Sequence, residues 1–284
     1  MKQNEQFVKS ELKKIKYEHI FHYTSLDALY SIITNKEIWL ADISTMNDKM
    51  ENLEFLNEIK YDLTSTFPSK NEEILGLIKT IEAGMEDQYP FALCCTSLND
   101  DAAQWERYAD SAKGVRIAFD TETLIRFSFS TPLSINNVFY EFPHEEHEIY
   151  YILKHYLQTG EILQFENIDA LIGNICLTAS SFKHKSFMGE SELRLRAPNL
   201  EKHRYHNNYC KFEYGCKKGV IKKYMKVDFD KLCRENDISM EKIIDNIMIG
   251  PRSTQNKRTL TDFCIQNGFK NLKGKITYSE CPLR

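Results

Sequence analysis

The sequence predicts an α+β fold: a mixed, largely antiparallel sheet with flanking helices. Three observations carry that prediction. Seventeen Phe and fifteen Tyr tilt the composition toward strands. The strand-like runs neither alternate strictly with helices nor follow one another as short regular meanders, which sets aside both a βαβ winding and an all-β barrel. Between those runs stand stretches with apolar residues at helical spacing. The 284 residues contain no internal repeat, no low-complexity segment and no Pro/Gly/Ser linker. They read as a single domain, 1–284, with a helical insertion at about 145–180.

In chain order, residues 5–16 form a charged surface helix (Phe7, Leu12 and Ile15 on one side) that leads into a strand at Phe21. Leu26 to Asn35 is a helix with Leu26, Leu29, Tyr30 and Ile33 as its apolar stripe and Ser25 as its N-cap. Ile38 to Ala41 is a short strand, and the polar "STMNDKMEN" caps a helix from Glu51 to Tyr61. A further helix fits Asn71 to Met85 before Pro90. "FALCCTSL" suits a strand buried on both faces. "NDDAAQWERYAD" reads as a short helix, "GVRIAFD" and "NNVFYEF" as strands, and 145–157 and 162–180 as helices parted near Gly160. Glu192 to Ala197 is a strand stopped by Pro198. "YCKFEYG", "GVIKKYMKVDF" and "IIDNIMIGP" give more strands, Thr259 to Asn267 a helix, and "GKITYSE" a last strand.

The composition excludes several classes. A net charge of −4 does not recruit nucleic acid through the whole-molecule field, although Lys217 to Lys226 is a local basic patch that also suits a lysine-guarded strand edge. The opening residues are charged throughout and no run approaches a membrane span, so a cytoplasmic location and no membrane partner are expected. The eight cysteines form no C-x-x-C pair and are expected to pack as reduced, small apolar groups. Cys210 and Cys216 with His203 and His206 match no zinc-finger spacing, and no metal is expected.

Three polar clusters lie at strand edges. His22-Tyr23-Thr24-Ser25 offers four hydrogen-bonding side chains where a helix begins, more than a cap requires; core packing of His22 and Tyr23 is the competing account. Trp105 and Tyr108 share a helix face among the polar residues Gln104, Glu106 and Arg107, which suits either a cleft wall or the core. In a strand running from Glu190, the residues Glu190, Glu192, Arg194 and Arg196 point one way and Ser191, Leu193 and Leu195 the other. That row is either a solvent-facing ladder of ion pairs or a cleft lip where two carboxylates divide an acid and a base role.

Together, "FHYTSLDALYSIITNKEIWLADISTMNDKMENLEF", "FALCCTSLNDDAAQWERYADSAKGVRIAFD", "KSFMGESELRLR" and "IMIGP" resemble a bacterial family known as domain of unknown function 2971. The shared marks are Asn47-Asp48, Trp105 to Phe119, Phe187 to Arg194 and Gly250-Pro251, with Phe187 where tryptophan is usual. A more distant resemblance is to ADP-ribosyltransferase-like enzymes, including those of bacterial toxin and anti-phage systems: a histidine on a first strand, a helix, a second strand, and a late glutamate at a strand start. Trp39 stands where a tyrosine of that pattern would be.

This second resemblance implies NAD as substrate, with ADP-ribosyl transfer to a nucleic-acid or protein acceptor, or NAD hydrolysis. His22 would hold the nicotinamide-side ribose, and Tyr23, Thr24 and Ser25 would line the nicotinamide or phosphate pocket. Asn47, Trp105, Tyr108 and Arg194 would complete that pocket. Glu192 would be the catalytic carboxylate and Glu190 the first acid of the pair. A carboxylate hydrogen-bonded to the 2′-hydroxyl stabilises the oxocarbenium-like centre as nicotinamide leaves. Two alternatives remain: a non-catalytic nucleotide- or protein-binding module, and a metal-dependent nuclease built on Glu190, Glu192 and Asp48 or Asp120. The nuclease pattern lacks its lysine, since Arg194 stands in that place.

Overall fold

A computed structural model describes residues 2–46, 51–142, 148–199, 208–217 and 219–283. It is α+β, with one mixed, mostly antiparallel open sheet. The chain begins with α1 (Lys2–Ile15), β1 (His19–Thr24), α2 (Leu26–Asn35), β2 (Glu37–Asp42), α3 (Glu51–Thr66) and α4 (Asn71–Met85). It continues through β3 (Phe91–Thr96), α5 (Ala102–Tyr108), β4 (Val115–Asp120), α6 (Thr121–Phe127), β5 (Ser134–Asn137), α7 (Glu148–Thr159) and α8 (Ile168–Ala179). The remainder is β6 (Glu192–Ala197), β7 (Cys210–Lys217), β8 (Val220–Asp228), α9 (Phe229–Glu235), β9 (Ile244–Ile249), α10 (Lys257–Gln266) and β10 (Ile276–Tyr278). The residues predicted as an insertion at about 145–180 are α7 and α8.

The sheet runs β10-β9-β4-β1-β3-β2-β8-β7, with β6 and β5 branching from β3. Among the described residues, β9–β10 is the one parallel ladder. Along one edge of β3, β6 pairs residue for residue, from Phe91↔Ala197 to Thr96↔Glu192. Along the other edge β1 meets β3 only at Phe21↔Thr96, and β2 only at Ala41↔Ala92 and Asp42↔Phe91. Both β1 and β2 are antiparallel to β3, so they splay apart across its middle.

Side-chain alternation sorts the faces. Ile20, Ile38, Leu40, Leu93, Cys95, Ile117, Phe119, Leu193 and Leu195 point to one side, into a core shared with α2, α6, α9 and α10. Leu29, Ile32 and Ile33 supply the buried stripe of α2, each stabilising by about 1.5–3 kcal/mol. Ser25 caps this helix by accepting from the amide of Ala28 at 3.2 Å. On the opposite side α3, α4, α7 and α8 form a second apolar cluster around Phe55, Ile81, Leu153 and Ile175. A third, small cluster joins Tyr23 to Trp105, Ala109 and Ala112 of the α5 region.

Two expectations need correction. The strand expected at 136–142 is the shorter β5, Ser134–Asn137, because the backbone at Phe139 turns to bridge Phe182. The strand expected to run from Glu190 begins at Glu192. Residues 185–190 form a tight 3-10 turn, closed by Ser191 in the left-handed region at φ 45°. Helices α6 and α9, capped by Asp120 and Asp228, were not anticipated.

Candidate functional site

All six residues of β6 are buried. Glu192, Arg194 and Arg196 share a face with Thr96 and Cys94 of β3 and with Asn136 of β5. The row read from sequence as a solvent-facing ladder or a cleft lip is therefore interior: Glu192 is 6 %, Arg194 2 % and Arg196 8 % exposed. The left-handed turn at Ser191 brings the Glu190 carboxylate back beside that of Glu192, so the two meet through a turn and not through strand alternation.

Lys183 sits between them. Its ammonium donates to Glu190 Oε2 at 2.7 Å and to Glu192 Oε2 at 2.9 Å. Arg194 Nε donates to Glu192 Oε1 at 2.7 Å, and its Nη1 to the Ser180 carbonyl at 2.7 Å. Glu190 Oε1 accepts from Tyr108 OH at 2.8 Å and from Arg107 Nη1 at 3.0 Å. Behind the carboxylates, Thr96 Oγ1 and Gln104 Nε2 donate to the Glu190 carbonyl, and the Glu192 amide donates to Tyr140 OH at 2.9 Å. Arg196 donates to Asn136 Oδ1 and to the Leu177 carbonyl.

Burial alone would raise the pKa of Glu192; Arg194 and then Lys183 outweigh it and hold the carboxyl down at about 2. Burial would lower the pKa of Lys183, yet the two carboxylates raise it. Tyr108 is pushed up by burial and by its bond to Glu190, and the Cys94 thiol well up by burial and by Glu192. Burial, with Arg194 close by, lowers Arg196 to about 10. At this cluster Arg107 and Tyr108 reach water, Tyr108 being 40 % exposed. A hollow of about 240 Å³ beside Tyr140, Met188, Ser191 and Glu192 is below the roughly 300–1,000 Å³ of sites that enclose a whole cofactor. A larger groove of about 1050 Å³ lies elsewhere, around His19, Asp120, Arg126 and Lys275. Its charges pair largely with one another, as in Arg126–Glu122 and Lys275–Asp245, and none of the proposed NAD-site residues lines it.

Of the residues read from sequence, the structure brings together Glu190, Glu192, Arg194 and Tyr108. His22 does not join them. Phe21 shares a face with Thr96 and Glu192, so His22 points to the other side, its ring 6.5 Å from that of Phe119. Its Nδ1 donates at 2.8 Å to the Cys94 carbonyl, the group bared where β1 and β2 splay. Tyr23 packs edge-on against Trp105, and its hydroxyl donates to Leu98 O and accepts from Asp101 N. Thr24 is buried and Ser25 is the α2 cap, so His22, Tyr23 and Ser25 each use their polar atoms on backbone groups. Trp105 is fully buried and not on a cleft wall, its Nε1 donating to Asp100 Oδ1 at 2.5 Å. Asn47 and Asp48 lie outside the described residues, as do His203 and His206. Asp120 caps α6, accepting from Thr123 N at 2.7 Å, and the position between the glutamates where a nuclease metal would sit holds the Lys183 ammonium.

Lys183, Arg107 and Tyr140 were missed by sequence reasoning. Arg107 stands inside the quoted W-E-R-Y, and Lys183 opens the K-H-K run ahead of the glutamates. Neither spacing announces an ion pair, because the turn at 185–190 creates it.

No helix among the described residues is long and apolar enough to cross a membrane. No curated protein and no solved structure matches the chain. One protein family does, over residues 104–195, the stretch that carries Arg107, Tyr108, Lys183, Glu190, Glu192 and Arg194. Over that stretch, about a third of its length, the chain is similar to the family described as protein of unknown function, DUF2971.

Proposed function

We propose that this protein binds an anionic ligand of the nucleotide class at the mouth formed by Arg107 and Tyr108, and that its two glutamates hold cations in place. One observation carries the reading: each of the four carboxylate oxygens of Glu190 and Glu192 already accepts from Lys183, Arg194, Arg107 or Tyr108. The carboxylates are thus engaged, whereas Arg107 and Tyr108 are exposed to solvent. Among the described residues, four cations (Arg107, Lys183, Arg194, Arg196) stand near two carboxylates, and the exposed guanidinium of Arg107 is placed to meet an incoming anion. A guanidinium fork beside a ring suits a phosphate joined to a flat base.

Thermal melting with NAD, ADP-ribose and inorganic phosphate tests this. A ligand at a hundred times its Kd adds about 2.7 kcal/mol, and a chain of this size melts roughly 2 °C higher per kcal/mol, so a rise of about 5 °C is expected. The rise is lost in Arg107→Ala. A melting point unmoved by millimolar NAD and ADP-ribose overturns the reading.

A second reading is ADP-ribosyl transfer or NAD hydrolysis with Glu192 stabilising the sugar cation, favoured by the fully ionised state of that carboxylate. It requires Lys183 to release Glu192 when ligand arrives. Nicotinamide release from NAD, abolished in Glu192→Gln, is the outcome that selects it. A nucleic-acid or protein acceptor, and a role in toxin or anti-phage systems, belong to this second reading alone.

A further inference from the structure

The far end of the sheet carries a feature that the glutamate cluster does not use. There Trp39, Lys226 and Lys211 stand opposite one another across β2, β8 and β7; the next row is Ala41, Tyr224 and Glu213, followed by Lys222 and Gly215. Ala41 pairs with Ala92, so these residues lie on the same side of the sheet as Cys94 and Glu192. The Trp39 and Tyr224 rings are 5.3 Å apart at 54°. Gly215 keeps the floor beneath them flat, since a Cβ there would come within 3.2 Å of Tyr224 and 3.7 Å of Trp39. The Lys226 ammonium lies 4.8 Å from the centre of the Trp39 ring, and Lys222 reaches the Thr45 carbonyl at 2.7 Å.

Charge singles out the same segment. Residues 209–228 hold Lys211, Lys217, Lys218, Lys222, Lys223 and Lys226 against Glu213 and Asp228, six positive less two negative, in a chain whose net charge is −4. Lys211 and Lys226 face each other directly, a repulsive cross-strand pair that Glu37 and Glu213 relieve through Lys226. Guarding a sheet edge against aggregation requires the lysines alone. It does not require two rings on a glycine floor.

We infer that this face of β2, β8 and β7 binds single-stranded nucleic acid, with bases stacking on Trp39 and Tyr224 and phosphates held by Lys211, Lys222 and Lys226. Successive residues on this face are about 7 Å apart, giving a row of cations alongside the rings. Stacking on aromatic rings accepts any base, and a basic groove follows the backbone, so the face selects unpaired strands and not a sequence. It is a different surface from the Arg107 mouth and does not depend on the nucleotide reading.

The protein's two tryptophans make the test direct. Trp105 is fully buried, so a change in indole emission reports Trp39. A fluorescein-labelled single-stranded oligonucleotide of mixed sequence is titrated at about 50 mM salt and upward, following anisotropy and indole emission. The expected results are quenching, a slope of log K against log salt of about −2 for three phosphate contacts, and at least about fivefold weaker binding in Tyr224→Ala. Lys211→Ala with Lys222→Ala flattens the slope to about −0.7. Trp39→Phe abolishes the emission change and retains the anisotropy change. Arg107→Ala leaves strand binding intact, which separates this surface from the nucleotide mouth. Unchanged melting points establish that each variant is folded. The inference falls if no strand binds at low salt, if duplex or poly-glutamate binds equally well, or if folded Tyr224→Ala and the double lysine variant bind as the parent does.

Discussion

Replacing Lys183 by methionine isolates the buried network. The ammonium lies 2.7 Å from one carboxylate oxygen and 2.9 Å from another, with the lysine side chain 10 % exposed and both glutamate side chains 7 % or less. With an effective dielectric of about 20, each contact is worth about 6 kcal/mol of gross attraction. Desolvating the three ions offsets most of that, and removing one partner from a buried pair costs about 3–5 kcal/mol because the remaining charges stay buried. At roughly 2 °C per kcal/mol the melting temperature of Lys183→Met falls by about 6–10 °C at pH 7. Lys14→Ala, which breaks the exposed pair with Glu11, is the control and costs less than about 1 kcal/mol. Adding Glu192→Gln to Lys183→Met removes one stranded charge and recovers part of the loss. Calorimetric or circular-dichroism melts measure these proteins and Glu192→Gln alone, which completes the cycle. A melting point for Lys183→Met within about 1 °C of the parent, with no coupling in the double variant, refutes the reasoning.

Three further outcomes follow from the geometry. Glu192 has its carboxyl held from 4.5 down to about 2, so its contribution is complete above pH 4.5 and is lost as pH falls toward 2. That amounts to about 3 kcal/mol, and denaturant melts across this window should show a steeper decline in the parent than in Glu192→Gln. Gly250→Ala places a Cβ 2.4 Å from the Ala112 carbonyl and 2.9 Å from that of Gly114, where backbone must yield. A loss of more than about 2 kcal/mol is expected in chemical denaturation. Tyr23→Phe deletes the hydroxyl that joins Leu98 O to Asp101 N and leaves two partly buried backbone groups short of a partner. The cost, about 1–3 kcal/mol, is readable in the same melts, and a neutral result means water replaces the hydroxyl.

Much of the fold was legible because local signals agreed. Leu26–Asn35 has an apolar stripe and a serine cap, and Asn71–Met85 a stripe; both helices end where the pattern ends. Glu192–Ala197 was legible from alternation and the proline after it. Helices α6 and α9 were missed because each is seven residues, too short for periodicity to show, although Asp120 and Asp228 mark their starts. The site was legible only in part. Two glutamates two residues apart suggested a shared face, and they do meet, but the cause is a left-handed Ser191 that no alternation rule anticipates. His22 failed for the converse reason: in β1, a shift of one position changes the side of the sheet, and the ring serves a carbonyl left bare by a splay that only tertiary structure reveals.

The branching of the sheet at β3 has a consequence for how the chain is made. Phe91–Thr96, an uncharged FALCCT run, takes β6 as its neighbour, and that partner is encoded about 100 residues later. At about 5–20 residues per second a ribosome needs roughly 5–20 s to deliver it. Throughout that interval the nascent chain presents an apolar strand with one edge lacking its partner, the kind of segment that chaperones capture and that nucleates insoluble material when they do not. Yield of native protein should therefore respond to growth temperature and chaperone supply, while the melting point of whatever folds stays the same.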